Sequence, residues 1–311
     1  MFKIIAVTGP TSSIGVALIK QAILQNIKVI AFANKDSQNL NRIPQSSLVK
    51  IVPCSLSEMS FFDCEGLHAD IFIHLAWGST NRSVRNDLNP QVDNIKYSLD
   101  SVYLAKRLGC HTYIGAGSQA EYGRSFEILN EKSSTNPETA YGIAKLCSEM
   151  MTRLECHKLA IRHIWPRIFS TFGPYTQETT ILNYTIRCLL HNERPSLTGC
   201  EQLWDFLFVD EAARALLLLA QKGKSGEVYC VGSGHSRIMK DYIEELSDVM
   251  GKTCTIGYGD LPYGDNTVMH LAVDISKIRN EIGFEPQISF KDGIIKTIDW
   301  AKVYFSQNSE V

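Results

Sequence analysis

Short runs rich in apolar residues alternate with longer amphipathic stretches through the first half of the chain. The runs at 3–8, 28–33, 49–53, 71–76, 112–115 and 163–168 predict strands. Between them, 14–25 and 94–108 space their apolar residues three and four apart, the period of a helix. Strands alternating with helices predict βαβ units and a parallel sheet. The run Ile71-Phe-Ile-His-Leu-Ala76 is apolar on both faces, as in a sheet covered by helices on both sides. The pattern changes at the turn Gly173-Pro174. Beyond it come a helical stretch at 181–191, a short strand at 204–210, a helix at 211–221 and a strand at 227–231 ended by Gly232-Ser-Gly234. Two amphipathic helices, near 239–250 and 292–305, follow, and the polar tail 306–311 is expected to fray.

Composition narrows the function classes. A chain of 311 residues suffices for one large domain or two unequal ones. A formal net charge of −2 gives no reason to expect nucleic acid or an anionic membrane as partner. No apolar run approaches the ~20 residues needed to span a bilayer. Met1 leads straight into a buried-strand pattern that lacks the architecture of a cleavable signal, so a cytoplasmic location is expected. The nine cysteines are scattered, odd in number and without CxxC spacing, which reads as reduced thiols. The eight histidines form no HExxH-like cluster, so no metal is expected.

Two motifs carry chemistry. Thr8-Gly9-Pro10-Thr11-Ser12-Ser13-Ile14-Gly15 lies between the first strand and the first helix. Its spacing is Gly-x-x-Gly-x-x-Gly with Ser12 in the middle glycine's place. A tight turn feeding a helix N-terminus binds pyrophosphate, because free N–H groups and the helix dipole face the anion. A plain turn capped by Ser12 or Ser13 is the alternative. The second motif is Tyr141-Gly-Ile-Ala-Lys145, which puts a phenol and an ammonium one helical turn apart. A tyrosine ordinarily titrates near ~10, and a cation beside it favours the phenolate. Such a phenol can exchange a proton with a sugar hydroxyl or ketone.

Taken with further segments, the chain resembles the extended short-chain dehydrogenases/reductases, specifically the NAD(P)-dependent epimerase/dehydratase group acting on nucleotide sugars. The segments are Thr8 to Gly15, His74-Leu-Ala-Trp77, Gly115-Ala-Gly-Ser118-Gln-Ala-Glu-Tyr122-Gly123, Tyr141 to Lys145, Arg167-Ile-Phe-Ser-Thr-Phe-Gly-Pro174, Trp204 to Asp210, Asp274-Ile-Ser-Lys277 and Ile282-Gly-Phe-Glu-Pro286. They span nearly the whole chain in order. The resemblance implies an α/β fold, a Rossmann-type doubly wound parallel sheet with a smaller α/β C-terminal substrate lobe. Residues 1–172 would form the cofactor domain, with 205–233 returning to it, and 173–204 with 234–311 the substrate lobe.

Residue by residue, the resemblance implies that Tyr141 is the general acid/base and that Ser118 hydrogen-bonds the reacting sugar oxygen. Lys145 would bind the nicotinamide ribose and depress the Tyr141 pKa. Gly9, Thr11, Ser12, Ser13, Ile14 and Gly15 would hold the pyrophosphate. Asn34, Lys35, Ser55 and Leu56 would lie at the adenosine end, and Leu75, Ala76 and Trp77 under the cofactor. Ile168 and Phe169 would lie near the nicotinamide. Substrate contacts would come from Ser79, Gln119, Tyr122, Ser170 and Trp204. Gln119 and Tyr122 could equally brace their loop, and Trp204 could equally pack between lobes. Relatives commonly dimerise through two helices, here 94–108 and 141–157, so a homodimer is expected.

NAD-binding members place an acid at the end of the second strand, on the adenosine ribose. Here Ala33 occupies that place, followed by Asn34, Lys35 and Asp36. A neutral residue with a lysine beside it favours a 2′-phosphate, hence NADP(H), with NAD(H) the alternative through Asp36. NADP(H) in turn favours a 4-ketoreductase for a nucleotide-linked deoxysugar, and the 115–123 and 202–206 segments resemble the branch containing CDP-abequose synthase. An NAD-dependent nucleotide-sugar 4-epimerase, a non-catalytic NADP-binding regulator and a reductase of small carbonyl compounds are the alternatives. Gln119-Ala120 after Ser118 lacks the acidic pair of the dehydratases.

Overall fold

Alternate residues of each central strand enter different cores. In the computed structural model, which describes residues 2–81, 84–251 and 254–308, Ile5 and Val7 join one hydrophobic core and Ala6 the other. Ile71, Ile73 and Ile114 likewise face the first core, and Phe72 and Tyr113 the second. A sheet buried on both faces must be apolar at both parities, which is why these strands read as unbroken apolar runs.

The strands in chain order are β1 Ile4–Thr8, β2 Lys28–Ala33, β3 Val49–Pro53, β4 Ile71–His74, β5 Thr112–Gly115, β6 Gly117–Ser118, β7 Ile128–Leu129, β8 Arg162–Ile168, β9 Ser170–Phe172, β10 Leu203–Phe208, β11 Glu227–Val231, β12 Ser236–Ile238 and β13 His270–Val273. The helices are α1 Ser13–Leu24, α2 Leu88–Arg107, α3 Ala140–Lys158, α4 Ile181–Leu190, α5 Val209–Lys222, α6 Met239–Val249, α7 Ser276–Ile282 and α8 Phe290–Asn308. The main sheet runs β11-β8-β5-β4-β1-β2-β3, with β6 added beside β8. All its pairings are parallel. Helices α1 and α5 cover one face, and α2 and α3 the other. This is a Rossmann-type doubly wound sheet, with the phosphate loop at the carboxyl end of its central strand.

A second sheet, β12-β10-β13-β7 with β9 on β10, carries the smaller lobe with α4, α6 and α8. Phe172, Phe206, Tyr242 and Phe290 interlock there, with Tyr242 and Phe290 centroids 4.6 Å apart. Strand β11, within 205–233, pairs with β8 in the main sheet, but β10, which straddles the 204/205 boundary, lies in the second sheet. Strand β10 ends at Phe208 because Asp210 and Glu211 stand in the first turn of α5, where the dipole favours them. Helix α2 starts six residues before 94, with Pro90 in its first turn, where a missing N–H costs nothing. Leu88 and Val92 are exposed there, so the early turns carry no buried stripe to read. The two-residue strand β7, inside the first 172 residues, crosses to pair with β13 of the other lobe.

Candidate active site

The turn between β1 and α1 is built for close approach. Gly9 adopts φ +68°, and a Cβ there would lie 2.8 Å from the Ala76 nitrogen. A Cβ on Gly15 would lie 2.2 Å from the Gly9 carbonyl oxygen. Ser12 caps α1: its Oγ accepts from the Gly15 N–H at 3.0 Å and donates to the Gly9 carbonyl at 2.8 Å. The first turn of α1 holds no acidic residue. Thr11, Ser13 and Ile14 are part exposed beside it. An uncharged, glycine-lined helix N-terminus at the head of the sheet fits a dinucleotide pyrophosphate. Ser12 thus closes the cap and lines the cradle together.

The segment after β4 forms the floor. His74 Nδ1 and Thr8 Oγ1 are 2.8 Å apart, and Thr8 Oγ1 accepts from the Ala76 N–H. Burial pushes the His74 imidazole down to about 3, with the Lys145 charge acting the same way, so it stays neutral. Leu75 and Ala76 follow, part exposed beside the phosphate turn. Gln91 and Asn94, buried on α2, hold the next turn. Trp77 Nε1 donates to Gln91 Oε1 at 2.9 Å, Gly78 N donates to Asn94 Oδ1 at 2.8 Å, and Gln91 Nε2 donates to the Ser79 carbonyl at 3.1 Å. Ser79 takes φ +53°.

Ser118 and Tyr141 come together at the start of α3. Thr139 caps α3 through the Gly142 N–H at 3.0 Å. A Cβ at Gly142 would lie 2.3 Å from the Ala120 carbonyl, so the glycine lets the Ser118 turn seat against the helix start. There Ser118 comes close enough to the Tyr141 phenol to favour its ionised form, while its Oγ accepts from the Ala120 N–H at 3.2 Å. Burial raises the Tyr141 pKa, which the Ser118 hydrogen bond and the Arg85 charge oppose and Glu121 reinforces. Tyr141 as a whole is part exposed.

Lys145 does not take the place expected beside the phenol. Its Nζ donates to the Ala116 carbonyl at 2.6 Å and sits 3.6 Å above the Trp77 ring centroid, against 5.8 Å for the Tyr141 ring. Burial pushes its pKa down to about 7, with Glu121 pulling the other way. An aromatic face and a carbonyl oxygen solvate the ammonium less well than water does. Among the described residues the cation nearest the Tyr141 ring is instead Arg85, with its guanidinium 4.8 Å from the centroid.

Beneath Ser118 lies a buried ion pair that sequence reading does not single out. Glu121, wholly buried, accepts from the Ser118 N–H at 2.8 Å, from Trp165 Nε1 at 3.1 Å and from Arg167 Nε at 2.6 Å. Burial opposes the Arg167 charge, but the Glu121 carboxylate and Tyr122 outweigh it and raise its pKa. Glu121 and Arg167 are 46 residues apart, a pairing that only the sheet reveals.

The remaining expected residues are dispersed. Ile168 and Phe169 are buried at the end of β8, next to Ser118 on β6. Ser170 begins β9, and Gln119 is part exposed in the turn after Ser118. Of the two roles expected for Tyr122 the geometry fits the brace: the residue is 2% exposed, and its hydroxyl donates to the Asn130 carbonyl at 2.8 Å with Cys230 Sγ at 3.2 Å. It braces the loop and has no free hydroxyl to offer a substrate. Trp204 is part buried on β10 against Phe206, inside the second sheet. At the other end of the cleft Ala33 is buried, while Asn34 and Lys35 are exposed. Asn34 Oδ1 accepts from the Asp36 N–H. Ser55 and Glu58 close a capping box around Leu56, and the Lys35 charge contributes to holding the Glu58 carboxyl below its usual range, after its hydrogen bonds with Ser55.

A model of the NAD dependent epimerase/dehydratase family matches residues 5–232. Among curated proteins, the chain is 26% identical over 192 residues to a dTDP-glucose 4,6-dehydratase from Shigella flexneri. That match covers 58% of this chain and 52% of the relative, so the chain spans about half the length of such relatives. Among solved structures, a UDP-N-acetylglucosamine 4-epimerase from Methanobrevibacter ruminantium, in complex with UDP-N-acetylmuramic acid, superposes with a TM-score of 0.87 at 25% identity. It covers 98% of this chain and 99% of that one. A UDP-glucuronic acid 4-epimerase from Bacillus cereus, solved with NAD, shares the fold with a TM-score of 0.82 at 20% identity, covering 97% and 99%.

Proposed function

Since the chain belongs to the NAD-dependent epimerase/dehydratase family, we propose that it reduces a 4-keto group on a nucleotide-linked deoxysugar, drawing on NADP(H). The meeting of Ser118, Tyr141 and the α3 helix start carries this reading. Gly9, Ser12 and Gly15 would hold the pyrophosphate, and Lys145 the ribose. When bound, the dinucleotide supplies the hydride to the ketone carbon. Tyr141 delivers its phenolic proton to the ketone oxygen, so the carbonyl becomes a hydroxyl. Ser118 donates a hydrogen bond to that oxygen as charge collects on it.

Ala33 and the exposed Lys35 support a 2′-phosphate. The Glu58 charge beside Lys35 favours the second reading, a 4-epimerase holding NAD, because it offsets part of that attraction. Purified protein mixed with NADPH and UDP-, dTDP-, CDP- and GDP-linked 4-keto-6-deoxyhexoses decides between them. A reductase consumes NADPH stoichiometrically with one of the four. Tightly bound NAD in the purified protein, with no NADPH consumption, establishes the epimerase.

We propose in addition a homodimer through α2 and α3. The two helices pack on each other and still expose Val92, Tyr103, Ile143, Met150 and Leu154. An apolar stripe of this kind on paired helices suits a self-complementary interface. Leu154→Asp is expected to give a monomer by light scattering, where the parent chain gives a dimer. A monomeric parent chain would rule the interface out.

A further inference from the structure

The loop that joins the floor of the site to α2 makes two contacts with the catalytic helix. Asn86 Oδ1 accepts from the Ala140 N–H at 3.2 Å, one residue before Tyr141. Arg85 lays its guanidinium over the Tyr141 ring, 4.8 Å from the centroid. Its Nε is buried and has no hydrogen-bond partner, and Arg85 forms no ion pair among the described residues. A buried donor without an acceptor costs ~1–3 kcal/mol, and natural structures keep few of them without a use. Glu121, the carboxylate whose charge acts on Tyr141, is engaged with Arg167. The other cation of the site, Lys145, is turned to Trp77 and Ala116.

We propose that Arg85 is a catalytic residue, whose Nε–H donates to the sugar oxygen that gains charge while Tyr141 transfers its proton. This rests on the reductase reading above and adds a third donor to Ser118 and Tyr141. The guanidinium lies over the Tyr141 ring, and both Arg85 and Tyr141 are part exposed, so a bound sugar can reach the pair. Arginine suits the place better than lysine, since its planar fork stacks and donates together. The groups whose charges act on Tyr141 are then Arg85, favouring the phenolate, and Glu121, opposing it, with Lys145 further from the ring.

The test compares Arg85→Gln, Arg85→Lys and Tyr141→Phe with the parent protein, using the keto-sugar among the four that supports NADPH consumption. Arg85→Gln is expected to lower kcat by ~10²-fold, the effect of losing one donor to a developing oxyanion, with NADPH affinity unchanged. Arg85→Lys keeps the charge without the planar donor and should recover about a tenth of the parent rate. The limb of the pH–rate profile that belongs to Tyr141 should move to higher pH in Arg85→Gln, and less in Arg85→Lys. Arg85→Gln within threefold of the parent, beside an inactive Tyr141→Phe, overturns the proposal and leaves the reductase reading standing. Equal losses in kcat and in NADPH affinity also overturn it, because they mark a structural role. Near-parent turnover by Tyr141→Phe, or no turnover with any of the four sugars, overturns both.

Discussion

Replacing Glu121 by alanine is expected to destabilise the protein by ~3–5 kcal/mol, the cost of leaving a buried charge without its partner. Arg167 is 5% exposed and would keep its charge with only the Tyr122 ring, 4.7 Å from its guanidinium, and the Glu149 charge to offset it. The Trp165 indole N–H and the Ser118 backbone N–H would lose their acceptor in the same step. A lowered urea midpoint reads the loss, and folded material should also lose activity as the Ser118 turn relaxes. Glu121→Leu with Arg167→Met is expected to cost less than either change alone, because apolar residues of similar size often replace a buried pair at little cost. A Glu121→Ala protein as stable as the parent would show that the pair is not worth its geometry.

Lys145→Met is expected to separate stability from activity. If Lys145 binds the ribose and tunes the phenol, its loss should lower turnover by ~10²–10⁴-fold, the range of acid–base contributions. Yet the free protein should become more stable at neutral pH, since burial disfavours the ammonium and pushes its pKa from 10.5 to about 7. In that window the unfolded chain binds a proton that the folded chain has released. Stability of the parent therefore rises with pH from about 7 to 10.5 and stays flat below, as far as this group decides it. Melting temperatures across that range should climb in the parent and climb less in Lys145→Met. Identical slopes would mean that the ammonium is not desolvated.

Periodicity made the main sheet legible because its strands are apolar at both parities, and a run such as Ile71 to His74 has few other fates. Strand β7 was illegible for the opposite reason: two residues have no period, and Ile128 is exposed. Strand β10 reads as a strand from its sequence, but nothing local says which sheet takes it. At the site, the Tyr141-Lys145 spacing and the glycine turn are readable because helix and turn geometry are local. The direction of a four-carbon side chain is not, so the ammonium on Trp77 could not be foreseen. Arg85 stands in a polar loop without pattern, and Glu121 with Arg167 needs the β6–β8 contact to become a pair. Tyr122 matched a motif, yet its hydroxyl was claimed by the Asn130 carbonyl.

The crossing of β7 has a consequence for the order in which the molecule is made. Synthesis delivers the phosphate turn, Ser118 and Tyr141 early, but the segment joining Ser118 to Tyr141 gains its strand pairing only when β13 at His270–Val273 meets Ile128–Leu129. Strand β11, which completes the main sheet's edge, also arrives after residue 226. Contacts this distant along the chain close late in folding. The phosphate turn, Ser118 and Tyr141 are therefore all synthesised before either of these strand pairings can form.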